Sequence, residues 1–327
     1  MADLAKVNLS DFSDLQQTMY DDMAATQLRE GVKWDFAVSR RFTKHLTQGN
    51  SFAFTLWSGA DATASARGKS DLTADTPSDT QVPITAGQYT QHDTIDDSAE
   101  MGGIQSIAES FMLDRVGWLA EEHDLLASTA AVAGTNVIYV GQTARASITA
   151  SDTLTAAYVR RAFAWLSSQK APKFMTPAGM VYAAYVAPFV AHDLKEESNG
   201  LFAGPTNVNA PNLGLNELGI AGGFVFFETN SSAMLNADAG SGSVDVYYNV
   251  FLGDQALGKV TYPISPVDGA VDIVAGENRS AIVRYTRPLS NAGLKHDVTA
   301  IMNAGFDTVR EECIYRVESA SSIGANT

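Results

Sequence analysis

The chain has 327 residues, of which 45% are hydrophobic, more than one minimal core needs. Only 18% are charged, and 37 acidic against 22 basic residues give a net charge of −15, whereas roughly 25% charged is typical of soluble domains. This excludes a basic stripe for gripping phosphates, a disulfide within a chain whose single cysteine is Cys313, and any run near the roughly 18 apolar residues of a spanning helix. The stretch MADLAKVNLSDF lacks the pattern of a secretory signal, so folding in the cytosol is expected.

Residues 1–46 read as helical arm material. Leu15, Met19, Met23 and Leu28 recur at near-helical spacing, and Ser10 or Asp11 could cap. The densest basic stretch, Lys33 to Lys44 with Arg40 and Arg41, reads as a helix end and strand start salted with arginine. From Phe52, Phe54 and Leu56 alternate with Ala53, Thr55 and Trp57, which predicts a strand. Ser58 to Val82 holds almost no large apolar residue and supports no core. A second polar strand follows, with Tyr89, Thr90, His92, Thr94 and Ile95. The pair reads as an extended hairpin arm that reaches onto another subunit, because a long structureless loop is unusual inside a compact domain.

A long helix is expected from about Gly103 to Val132. Ile104, Ile107, Phe111, Trp118, Leu119, Leu125 and Leu126 form its apolar side, and Glu109, Asp114, Glu121 and Glu122 its polar side. Gly134-Thr135-Asn136 ends it, and Val137 to Val140 reads as a strand. Asp152 opens a second helix through about Ser168, with Val159, Ala162, Phe163 and Leu166 buried. Met180 to Ala184 is a strand, Phe189 to Leu194 a helix behind Pro188, and Phe224 to Phe227 another strand. Asn236 to Ser243 is a hairpin tip before the strand Val244 to Leu252. The alternation from 137 to 260 describes an α/β unit. The chain ends in strands near Ala300 to Gly305 and Cys313 to Val317.

This order of parts resembles the major capsid proteins of tailed bacteriophages, which share the fold named after phage Hong Kong 97. More narrowly it resembles the subfamily typified by the short-tailed coliphage N-four. The likeness is carried by the hairpin after Gly49-Asn50, by the long helix ending at Gly134-Thr135-Asn136, and by Asp152-Thr153-Leu154-Thr155 with Lys170-Ala171-Pro172. It continues through Tyr182 to Leu194, Glu217-Leu218-Gly219, Phe226-Phe227-Glu228-Thr229, Arg287-Pro288-Leu289, and Ile314 to Glu318. It covers most of residues 25–320. The resemblance implies an α+β Hong Kong 97-type fold. Its parts would be an N-terminal arm (1–48), an extended hairpin loop (49–100), a peripheral domain with a long spine helix (101–136 plus 281–327), and an axial α/β domain (137–280). Arg287 stands where family members often carry Asp, and Asn50, Lys69 and Lys173 give no basis for cross-linking chemistry.

No catalytic, cofactor or metal site is expected. Histidines 45, 92, 123, 192 and 296 are scattered, and none has the spacing of a helical zinc site. His192 beside Asp193 reads as a helix-terminal histidine. Cys313 among acidic neighbours reads as a buried, unreactive thiol. Asp93, Asp96, Asp97 and Glu100 could hold a divalent cation between subunits but read better as a solvated strand end with an acidic helix start. Gly240 and Gly242 could suggest a phosphate cradle but read as a hairpin tip. Asn236 and Asp238 lack the closing Glu of a calcium loop.

The resemblance implies a major capsid protein, not an enzyme. It would assemble with itself as hexamers and pentamers into an icosahedral virion shell, in the host cytoplasm, around double-stranded DNA enclosed without sequence-specific binding. Portal, scaffold and decoration proteins are the expected partners, and a membrane is not. The rivals are a cellular encapsulin-like shell of the same fold, a soluble α/β enzyme, and a secreted adhesin.

Overall fold

The computed structural model describes residues 6–7, 31–43, 51–58, 78–96, 107–176, 179–197, 217–268, 270–274, 277–286 and 295–323. Three α-helices are seen among them: α1 (Ile107–Val132), α2 (Ala156–Ser168) and α3 (Pro188–Glu196). The strands fall into two large sheets and one ribbon.

The first sheet holds seven strands. They are β1 (Lys6–Val7), β2 (Val38–Thr43), β5 (Gly87–Asp96), β13 (Leu257–Thr261), β14 (Val271–Val274), β15 (Ala281–Thr286) and β16 (Lys295–Thr308). The 14-residue β16 is its axis, pairing antiparallel with β5, β15 and β13. Along β16, His296, Val298, Ala300 and Met302 are buried in alternation, the period of a sheet covered on one face. That cover is α1, whose Phe111, Met112, Val116, Trp118 and Leu119 pack with Ile95, Val283, Val298 and Met302.

The second sheet holds eight strands. They are β6 (Val137–Tyr139), β7 (Phe174–Thr176), β8 (Gly179–Val186), β9 (Glu217–Ala221), β10 (Phe224–Glu228), β11 (Leu235–Asn236), β12 (Val246–Leu252) and β17 (Ile314–Ser319). The central strands β8, β10 and β12 are apolar almost throughout because both faces are covered. On one face α2 places Phe163 against Tyr182 and Phe224, and Trp165 stacks on Tyr315 at 4.8 Å. On the same face α3 brings Phe189 to Tyr247. The opposite face receives Trp34, fully buried and stacked on Tyr185 at 3.9 Å.

α1 joins the two sheets. Its 26 residues span about 39 Å at 1.5 Å per residue. Its last turns carry Ala127, Ser128, Ala130 and Ala131, small enough for close approach to the second core. It ends where a Cβ on Gly134 would meet Ile314 Cγ2 at 2.7 Å.

Several expectations are corrected. The expected start of α1 at Gly103 lies outside the described residues, as do Leu15, Met19, Met23 and Leu28. Residues 6–7 and 38–43 are strands, not helical arm, and Trp34, Ala37 and Val38 sit in the chain's own main core. The hairpin partner of β3 (Ser51–Ser58) is β4 (Ser78–Thr85), not the Tyr89 strand, which belongs to the seven-stranded sheet. α2 begins at Ala156 because Asp152 closes a turn on Thr149, and Thr153 bridges Ala320. β17 lies beside β6 and β12 in the eight-stranded sheet, while β13 lies beside β16 in the seven-stranded one. The reason is that strand pairing is non-local and each takes the free edge its own apolar face fits.

Gly305 marks where β16 passes under the bend between β4 and β5. A Cβ there would lie 2.3 Å from the Thr85 carbonyl oxygen and 2.8 Å from Ala86 Cα, both backbone. Gly305→Ala should cost about 1–3 kcal/mol in urea unfolding, because neither strand can yield without breaking register.

Candidate assembly surfaces

β3 and β4 pair without interruption from Ser51↔Thr85 to Ser58↔Ser78. One face of this ribbon is held from its base out to Leu56. Phe52 stacks on Phe42 at 3.7 Å, and Phe54 and Leu56 pack with Ile84, Val260 and Val309. Thr55 and Gln81 on its other face, and Ser78, Asp79 and Thr80 toward its outer end, are exposed. A two-stranded ribbon is marginal in water unless another layer covers it. The connection 59–77 lies outside the described residues.

Several titratable groups on α1 are engaged in structure. Asp124 accepts hydrogen bonds from the backbone N–H of Lys33 (2.7 Å) and Trp34 (3.2 Å), which clamps the start of the buried 33–38 segment to α1. His123 Nδ1 lies 3.2 Å from Asp124, and Lys259 Nζ donates to its Nε2 at 3.0 Å. This row borders a cavity of about 380 Å³ floored by Leu119, Ala281, Met302 and Ala304. Sequence periodicity missed it, since Arg115, His123 and Asp124 are buried while Trp118, Leu125 and Leu126 are only half covered. Each of these charged side chains has a fixed partner, Arg115 taking Asp93 and Asp114.

The other singled-out residues are placed as follows. His92 bonds Thr299 at 2.8 Å on the sheet surface, and His296 stacks on Tyr285. His192, 44% exposed, lies 3.5 Å from Glu196 and 3.8 Å from Asp193. Asp93 and Asp96 are taken by Arg115 and Lys295, which leaves neither for a cation. Asp97, Glu100 and His45 lie outside the described residues. Gly240 N–H and Ser241 N–H are spent on the carbonyls of Val244 and Ile148, so that turn offers an anion no cradle.

Two ion clusters carry much of the internal charge. Glu318, fully buried, accepts from Arg145 Nε (2.5 Å) and Nη2 (2.8 Å). Arg316 Nε is also near it, at 3.1 Å but poorly aligned for a hydrogen bond. The Glu318 hydrogen bonds hold the Arg145 pKa above its usual range. Asp272 on β14 accepts from Arg284 (2.7 Å) and Arg279 (2.5 Å), and these bonds, Arg284's first, depress its pKa against the opposing effect of burial. At Asp152 burial opposes ionisation, but bonds from Thr149 and Gln142 outweigh it.

No family model matches the sequence, and no curated protein does. Solved structures do match. A capsid chain of Ralstonia phage GP4 is 14% identical with a TM-score of 0.69, over 93% of this chain and 95% of that one. The capsid chain of cyanophage Pam1 is 12% identical with a TM-score of 0.63, over 99% and 100%. A head chain of Helicobacter pylori bacteriophage KHP40 is 12% identical with a TM-score of 0.60, over 98% of each. The fold is the Hong Kong 97-type capsid fold. The resemblance read from the ordered motifs and the likeness read from the backbone therefore agree on the fold.

Two outcomes follow from the buried groups. Folding lowers the Asp272 pKa, so the native state binds fewer protons than the unfolded one. Its stabilisation is present above the ordinary aspartate range near pH 4 and fades as pH falls through the native value. Urea melts from pH 7 to pH 3 should show Asp272→Asn less stable at pH 7 and less sensitive to acid than wild type. Cys313 is 2% exposed, and burial pushes its thiol up to about 11. It should stay unlabelled by iodoacetamide at pH 8 until denaturant is added; rapid labelling of the native protein would contradict that burial.

Proposed function

We propose that this chain is a major capsid protein, a structural subunit that assembles with copies of itself into a closed icosahedral virion shell. One observation carries the reading. The described backbone follows that of phage capsid subunits along most of the length of each chain, and Ser78, Asp79 and Thr80 at the outer end of the β3–β4 ribbon are exposed. In such an arrangement the ribbon is the reaching arm. The seven-stranded sheet with α1 is the peripheral part, and the eight-stranded sheet with α2 and α3 gathers near the symmetry axes of hexamers and pentamers. A net charge of −15 suits a wall that encloses DNA without adhering to it. Portal, scaffold and decoration proteins are natural partners of such a shell, and assembly would take place in the host cytoplasm.

The geometry gives catalysis little support. His123, which lines the cavity, lies between Asp124 at 3.2 Å and Asp35 at 3.8 Å, and Lys259 takes its Nε2. The arm costs ordering entropy that is recovered only when copies cover it, so free subunits should associate weakly and shells cooperatively.

Negative-stain electron microscopy of the purified protein should show closed particles of uniform diameter. Replacing 59–77 by a short Gly-Asn turn keeps Ile84 in its pocket, so the variant should fold with an unchanged near-ultraviolet spectrum and form no shells. Normal particles from that variant would sink the arm's role.

A further inference from the structure

Strand β8 is the middle of the eight-stranded sheet, and its two ends carry apolar patches of opposite charge. At its start Met180 pairs across the strands with Met175 of β7, and these side chains are 66% and 82% exposed. The residues leading into β7 are basic. Lys170 is exposed, and Lys173 lies half-buried over the rings of Phe163 and Tyr182. The nearby Asp254 takes the backbone N–H of Gln255. Beyond the other end of β8, Phe189 is 45% exposed and meets Tyr247 edge-on. Leu235, the cross-strand partner of Tyr247, is 41% exposed. Ile323, 42% exposed, follows Ser322, which is pinned to Asp193 on α3. The rim here is acidic, with Asp193, Asp245 and the 72% exposed Glu196; Lys195 is the basic exception. Eight residues of strand separate the two ends by about 25 Å.

Copies of a chain with net charge −15 repel one another unless contacts are locally complementary. We propose that the Met175–Met180 tip with Lys170 docks on the Phe189–Leu235–Ile323 patch with Glu196 of a second copy, head to tail. The two surfaces differ, so the contact is heterologous and repeats from copy to copy, closing a ring where the rotation allows. The occupant is the chain itself because each end supplies what the other lacks: a protruding apolar tip with positive charge, and an apolar patch with a negative rim. This rests on the shell reading and names the contact that would hold neighbours together within one ring.

The test uses the full-length chain. Lys170→Glu sets a like charge against Glu196, and Glu196→Lys sets a like charge against Lys170. Each single variant should lower self-association in sedimentation velocity by about tenfold at low salt. Mixing the two variants makes each contact between unlike copies complementary again and should raise association above that of either variant alone, while K170E/E196K in one chain restores every contact and should return to within about threefold of wild type. Met175→Ser/Met180→Ser changes exposed side chains only, so its thermal melt should match wild type while its association falls. Three results would overturn the contact while shells formed by wild type left the shell reading standing: no recovery on mixing, no recovery in the double variant, or wild-type association by the methionine variant. A wild-type chain that stays monomeric at every concentration and salt would remove both.

Discussion

A two-stranded ribbon satisfies its own backbone hydrogen bonds but cannot bury its own side chains. That constraint governs this molecule. The β3–β4 register is unbroken over eight residue pairs, yet the apolar side chains near its base reach only as far as Ile84, Val260 and Val309. On β4 the outer positions are serine, aspartate, threonine and glutamine, which remain soluble while uncovered and hydrogen-bond once covered. The body is built to hold that base firmly. Gly305 lets β16 pass beneath the bend where the ribbon leaves the sheet, and Phe42 stacks on Phe52 from the neighbouring edge strand. A lever of this kind is useful only when its root does not move.

The same demand for rigidity explains the buried charges. α1 lies over one sheet and runs into the core of the other, and its polar residues are fixed at three points. Arg115 is tied to β5, Asp124 to the 33–34 backbone, and His123 to Lys259 of β13. Glu318 with Arg145 ties the last strand to the loop after β6. Such pairs add little net stability over apolar packing, but losing one partner leaves an uncompensated buried charge. They therefore penalise any sliding of α1 between the sheets. Arg115, His123, Asp124 and Glu318 are taken up in holding the described body together.

The chain's own periodicities determined much of the described local structure: the long helix, the all-apolar strands around Tyr182 and Phe251, and the Asn236 turn. The order of those parts was enough to suggest the capsid fold, because short-range pattern follows directly from which face of each segment must leave water. The buried residues of α1 were misread, since Arg115, His123 and Asp124 look solvent-facing until their partners 22 to 136 positions away are known. Tertiary structure alone decided that Val38–Thr43 is a strand beside β13, that β3 pairs with β4, and that β17 joins β6 and β12. It alone brought Met175 and Lys170 to one end of β8 and Phe189 to the other. Pairing between distant strands depends on which edges stand free after collapse, and no window of neighbouring residues encodes that.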